Sequence, residues 1–115
     1  MTDFNSLVPV VAKAATTVTS DISNLVTKVK VGGVIQRTQF EILKNQTAKV
    51  LADAKAYNTT SIITTNLEQI AKTQEYIDTL FKQGKLHGVS LNMAMEQLAD
   101  LNDILRKNLR RFENT

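Results

Sequence analysis

The sequence predicts an all-α protein of long amphipathic helices with heptad seams, arranged as an antiparallel helical bundle or as an extended three-helix (helical-hairpin or coiled-coil) structure. Apolar residues recur at alternating steps of three and four positions over most of the chain, which is helical spacing. Four Gly and one Pro in 115 residues are too few for the many turns of an all-β fold. Because 43% of the residues are hydrophobic, although only 5% are aromatic, an aliphatic core is expected. We expect one helical domain over residues 1–115.

The first helix is expected over residues 6–31. Pro9 falls in its first turn, where the missing N–H costs little, and the pair Gly32-Gly33 ends it, because glycine readily adopts the positive φ of a helix C-cap. Its seam consists of Val11, Ala15, Val18, Ile22, Leu25 and Val29.

The middle of the chain allows two interpretations. A seam over residues 34–57 is formed by Phe40, Leu43, Thr47, Val50, Ala54 and Tyr57, and a second seam over residues 61–83 by Ile63, Leu67, Ile70, Gln74, Ile77 and Phe81. The second seam is one residue out of phase, which is about 100° around a helix. A break at 58–61 gives a compact four-helix bundle. Since no Gly or Pro lies there, the sequence slightly favours a continuous helix over 34–83, and such an extended chain would dimerise or wrap a partner.

The last helix is expected over residues 90–112. It follows an interruption from Gly84 to Gly88, and Ser90 is the expected N-cap. Its apolar stripe comprises Leu91, Met95 (or Ala94), Leu98, Leu101, Leu105, Leu109 and Phe112, opposite a charged stripe.

Composition excludes several kinds of chemistry. The chain has no Cys and a single His, His87, so thiolate chemistry and multi-His metal sites are absent. No phosphate-binding loop, dinucleotide turn or nucleophile elbow occurs. His87 is interpreted as a solvated loop residue and the pair Asp100 and Asp103 as part of a solvated face. We expect a protein that is not an enzyme and has no cofactor or metal. Its acidic start does not resemble an export signal, so a cytoplasmic location is expected.

The apolar stripes then predict an interaction or assembly protein that acts through helix–helix association, with itself as a homo-oligomer or with a larger protein partner. The expected partner-binding residues are Ile63, Leu67, Ile70, Ile77, Phe81, Leu91, Leu98, Leu105, Leu109 and Phe112.

The alternative is a small basic protein that binds nucleic acid or an anionic membrane. Its candidate anion-binding residues end the last helix: Arg106, Lys107, Arg110 and Arg111. Acids early and bases late in that helix also compensate the helix dipole, which is the simpler interpretation of the same cluster.

One stretch resembles a known family. Residues 66–80 (NLEQIAKTQEYIDTL), followed by Gln83-Gly84-Lys85 and then by Leu98, Leu105 and Leu109, look like the helical C-terminal region of TelA-type toxic-anion (tellurite) resistance proteins. There, too, a helix ends at a Gly-basic turn and an amphipathic helix follows. The resemblance covers residues 34–112 and implies a component of a stress or toxic-anion resistance system, without assigning a functional residue.

Overall fold

A computed structural model describes residues 9–56, 61–85 and 87–113, with the side chains of Ser61, Phe112 and Glu113 excepted. Within these ranges the chain forms α-helices joined by turns: α1 (Pro9–Lys30), α2 (Arg37–Ala56), α3 (Ser61–Lys82) and α4 (Val89–Glu113). The expected all-α bundle is confirmed. The expected start of the first helix at residue 6 lies outside the described residues.

The continuous helix that the sequence slightly favours over residues 34–83 is wrong. Gln74 of α3 donates a hydrogen bond to Thr47 of α2 over 2.9 Å, and Lys55 lies 3.3 Å from Glu68, so the two helices run side by side in opposite directions. The extended arrangement is excluded with it. The physical reason is burial: folding α3 back on α2 turns both out-of-phase seams toward one shared core, whereas a straight helix would direct them to sides about 100° apart.

The four helices form an antiparallel ring. Each packs against the next in the chain, and α1 closes the ring against α4. The radius of gyration is 14.4 Å, close to the ~13 Å of a compact domain of this length, and the bundle measures 48 × 23 × 18 Å. We call the end that holds the α1–α2 and α3–α4 connections the loop end, and the opposite end, where α4 finishes, the tail end.

Aliphatic side chains from all four helices fill the core. Near the loop end Phe40 and Phe81 meet edge to face with ring centroids 5.2 Å apart, a favourable aromatic arrangement. In the last turns of α1, Val26 is buried, whereas Leu25 and Val29 are only partly buried. The heptad seam predicted for α1 therefore drifts after Ile22, because a straight helix has 3.6 residues per turn and a heptad repeat assumes 3.5.

A polar layer crosses the middle of the core. Asn102 of α4 donates to the carbonyl of Thr19 over 3.0 Å and to the hydroxyl of Ser23 over 3.1 Å, both on α1. At the same level Gln74 donates to Thr47, whose hydroxyl donates to the Leu43 carbonyl. These amides are almost fully buried, and the oxygens of both lack a hydrogen-bond donor.

The two helices that end at the loop end, α1 and α3, have the same type of C-terminal cap. After α1, Gly32 has φ 86° and donates to the Val29 carbonyl, while Gly33 donates to that of Lys28. After α3, Gly84 has φ 75° and the same bonds recur. Both are Schellman caps, for which glycine supplies the positive φ.

The start of α4 differs from the sequence prediction. The carbonyl of Gly88 accepts the first helical bond, from Asn92, so Gly88 occupies the cap position. Ser90, the expected cap, lies inside the helix, which begins at Val89. A φ of 104° at Gly88 places the backbone in a conformation that other residues rarely adopt, which favours a start at the glycine.

Candidate interaction surface

The predicted partner-binding residues lie inside the bundle. Their described side chains expose at most 4% of their surface: Ile63, Leu67, Ile70, Ile77, Phe81, Leu91, Leu98, Leu105 and Leu109. Phe112 belongs to α4, but its side chain lies outside the described part of the chain. The stripes pack against helices of the same chain, so a partner reaches them only if the bundle opens.

The predicted anion-binding residues lie at the tail end, on exposed positions of α4. Arg106 and Arg110 are one turn apart and line a cavity of about 150 Å³ with Thr16 and Thr19 of α1. Lys107 follows Arg106 and Arg111 follows Arg110, each about 100° further around the helix. The four cations are therefore distributed over two sides of the last turns.

The titratable residues that catalysis could use, His87 and the pair Asp100 and Asp103, are exposed at separate places on the bundle. His87 is exposed and lines a cavity of about 270 Å³ at the loop end, together with Gly33, Val34 and Leu91; no carboxylate contributes to that lining. Asp100 and Asp103 are exposed on α4. Among the described residues, no three His, Asp or Glu side chains gather closely enough to hold a metal ion.

An ionic cluster around the buried Asp78 joins α2 to α3. Asp78, with 6% of its side chain exposed, lies 3.0 Å from the Lys82 ammonium and 3.2 Å from that of Lys44. The hydrogen bond from Lys82, supported by that from Lys44, lowers the pKa of the Asp78 carboxyl despite its burial. Burial works to lower the pKa of Lys44, but the hydrogen bond to Asp78 and the charges of Glu75 and Glu41 raise it. Since each charge has a partner, this cluster links two helices rather than presenting an open site.

Exposed apolar side chains gather at the loop end. Val31 is 78% exposed, Val89 73%, Met93 65% and Val34 61%, more than any other large hydrophobic residue that the structure describes. Val34 borders the 270 Å³ cavity, Val31 and Val89 are adjacent in sequence to glycines that border it, and Met93 lies one turn beyond Val89. Such a concentration of exposed apolar surface is typical of interaction sites.

Basic residues occur in the two segments that hold most of this apolar tip, which we define as Val31, Val34, Val89 and Met93. Residues 28–37 and 82–89 contain five Lys or Arg and no Asp or Glu: Lys28, Lys30, Arg37, Lys82 and Lys85. All five are exposed, and only Lys82 of the five lies within ion-pair distance of a described carboxylate, that of Asp78. We call the other four the basic collar. Glu96, the first acidic residue of α4, lies three positions beyond Met93 and lines a cavity with Lys30, so the acid-free surface ends there.

Sequence reasoning missed this surface because it treated Gly32-Gly33 and residues 84–88 as simple turns. A signal was present, since Lys28, Lys30, Val31 and Val34 flank the glycine pair without an acid. However, residues 82–93 join them only through the antiparallel packing of α4 on α1, which linear spacing does not reveal.

Within the described ranges, each helix is too short or too polar to span a lipid bilayer. Comparisons with known proteins find no family model, curated protein or solved structure that matches the chain. The resemblance to TelA-type proteins therefore stays a prediction, and the tip and its collar remain the strongest physical indication of function.

Proposed function

We propose that this chain is a non-enzymatic interaction module that associates with its partner through the loop end of the bundle. The observation that carries the proposal is the tip itself, where four large apolar side chains are 61–78% exposed beside two connecting segments, residues 28–37 and 82–89, that contain no Asp or Glu. Exposed apolar residues that are scattered singly need no explanation, whereas a cluster of them at one end of a bundle is typical of an interaction site.

The rest of the molecule supports a role in binding rather than catalysis. Its buried polar groups are engaged in holding helices together, as with Asn102 on α1 and Asp78 between two lysines. An enzyme needs a titratable group directed into a pocket that encloses a substrate. His87, the single histidine of the sequence, is exposed at the border of the 270 Å³ cavity.

Association of the core stripes with a second copy or a larger partner stays a prediction. It requires the bundle to open, because Leu98 and Leu105 are fully buried. Light-scattering mass on the purified chain measures it: a value near 12.8 kDa opposes self-association, and a multiple of that mass supports it.

Site-specific photo-crosslinking in cells that express the chain tests the proposal. A photoreactive amino acid replaces Met93 at the tip in one variant and Lys49, whose side chain is 79% exposed on α2, in the matched control. We expect abundant adducts, to protein or lipid, from position 93 and few from position 49. Equal yields from the two positions, or none from position 93, would contradict the proposal.

A further inference from the structure

We propose that the loop end docks on an anionic lipid surface, with the apolar tip in the headgroup region and the basic collar against the lipid phosphates. This inference rests on the proposed function and names its partner. It is carried by the combination of exposed apolar side chains with exposed basic side chains at one end of the bundle.

The apolar tip suits the interface of a bilayer. Val31 belongs to the α1–α2 connection, and Val89 and Met93 lie in the first turns of α4, so they project from two neighbouring segments at the same end. Aliphatic side chains of this size enter the boundary between headgroups and acyl chains, where the surrounding backbone can remain hydrated. The two Schellman caps fix the connections and satisfy carbonyls of the last turns of α1 and α3.

The basic collar supplies the positive charge that an anionic lipid surface attracts. Lys28 and Lys30 end α1, Arg37 begins α2 and Lys85 follows α3, so the cations come from three segments around the tip. Basic residues near a bilayer are attracted by anionic lipids, and the attraction falls off within a Debye length. The prediction is binding that requires both anionic lipid and low or moderate salt.

The pairing of apolar and basic side chains favours a lipid surface over the alternatives. A second copy meeting this one loop end to loop end would bring the two basic collars together, which charge repulsion opposes. Nucleic acid would use the cations but leave the valines and Met93 without an apolar contact.

Vesicle sedimentation with the full chain provides the first test. The probes are phosphatidylcholine vesicles with and without about 30% phosphatidylserine, at low and at high salt. We expect the chain to pellet with the anionic vesicles at low salt, to dissociate at high salt, and to remain in the supernatant with neutral vesicles. Failure to bind anionic vesicles, or equal binding to neutral ones, would overturn the inference.

Two loop-end variants and two matched controls locate the contact. Lys28→Gln, Lys30→Gln and Lys85→Gln together remove three collar charges and should weaken partitioning about a hundredfold. Val31→Ser, Val89→Ser and Met93→Ser together should weaken partitioning about tenfold or more.

The two controls carry matched substitutions away from the loop end. The charge control is Lys13→Gln, Lys107→Gln and Arg110→Gln, and the apolar control is Val10→Ser, Ile62→Ser and Ile104→Ser. All these side chains are exposed, so each variant should keep its helicity, which circular dichroism checks.

The controls should bind within about twofold of the original chain, since their residues lie away from the tip. If the charge control loses as much binding as the collar variant, the tail end or overall charge is responsible and the inference is overturned. Preferential binding to duplex DNA, with no contribution from the three apolar residues, would also overturn it in favour of nucleic acid.

A single introduced cysteine gives the orientation, because the chain contains none. An environment-sensitive fluorophore at Met93→Cys should shift to the blue with anionic vesicles, whereas one at Lys49→Cys should not. Equal shifts from the two positions would contradict docking through the loop end. If photo-crosslinking from position 93 yields a protein while vesicles are not bound, the lipid partner is wrong and the proposed interaction module stands.

Discussion

The α1–α4 and α2–α3 interfaces use the same central polar layer but secure it differently. Asn102 spans from α4 to α1 with two hydrogen bonds, to Thr19 and Ser23. On the other side of the layer Gln74 makes a single hydrogen bond to Thr47. Charged pairs elsewhere along the two helices also join α2 to α3. The first interface joins residues about 80 positions apart, and a single amide donates both of these hydrogen bonds. The second belongs to a hairpin with several independent polar links, so the loss of one link should matter less there.

The apolar core beneath both interfaces sets the largest expected effect. Leu105→Asp should unfold the bundle, at a cost of more than about 4 kcal/mol, because an unpaired carboxylate would enter a site that is 0% exposed. Leu98→Asp should behave alike. Circular dichroism and thermal unfolding measure the loss, and Ile104→Asp at a neighbouring position with 46% exposure is the control. Retained helicity and mass in the Leu105 variant would contradict the described core.

Asn102→Ala should be the most damaging single change in the polar layer. It removes both bonds from α4 to α1 and leaves a small cavity, which should lower the free energy of unfolding by about 2–3 kcal/mol. Urea unfolding measures the change. An effect smaller than that of Asp78→Asn would mean that the α1–α4 interface does not depend on this amide.

Asp78→Asn should cost less, about 1–2 kcal/mol, because the amide keeps the shape and one acceptor oxygen while losing the charge. The folded carboxyl has a pKa below the ordinary value of 3.8, so its stabilisation is present above that value and is lost as the pH falls through the lower, folded pKa. Urea unfolding of both chains from about pH 6 to about pH 2 should show the difference shrinking in acid. A difference that is constant across this range would contradict the ion-pair explanation.

Gln74→Leu should have the smallest effect, within about 1 kcal/mol of zero and on either side of it. The substitution removes an amide oxygen that lacks a donor, and the Thr47 hydroxyl keeps its bond to the Leu43 carbonyl. The same urea measurement applies. A loss as large as that of Asn102→Ala would show that the two sides of the layer are equivalent and would remove the contrast between the interfaces.

The α3 seam shows how far pattern alone reaches. All six predicted seam residues from Ile63 to Phe81 are buried, including Gln74, because helical geometry places every third or fourth side chain on one face. In α1 the same rule is correct as far as Ile22. It then predicts Leu25 to be buried, but Val26 is the buried residue because packing follows the true helical period of about 3.6 residues. Asn102 and Asn108 were missed in α4, although both are buried, because an amide gives no hydrophobic signal.

The sequence by itself determined the helices, most of their buried faces and the absence of thiol chemistry, because these depend on local geometry and residue type. Tertiary structure alone decided that the chain reverses between α2 and α3, since no Gly or Pro marks that point and only the burial of two out-of-phase seams favours the reversal. It also decided where surface chemistry gathers. Val31 and Val89 are 58 positions apart in the chain, and they share one end of the bundle because α4 packs antiparallel to α1.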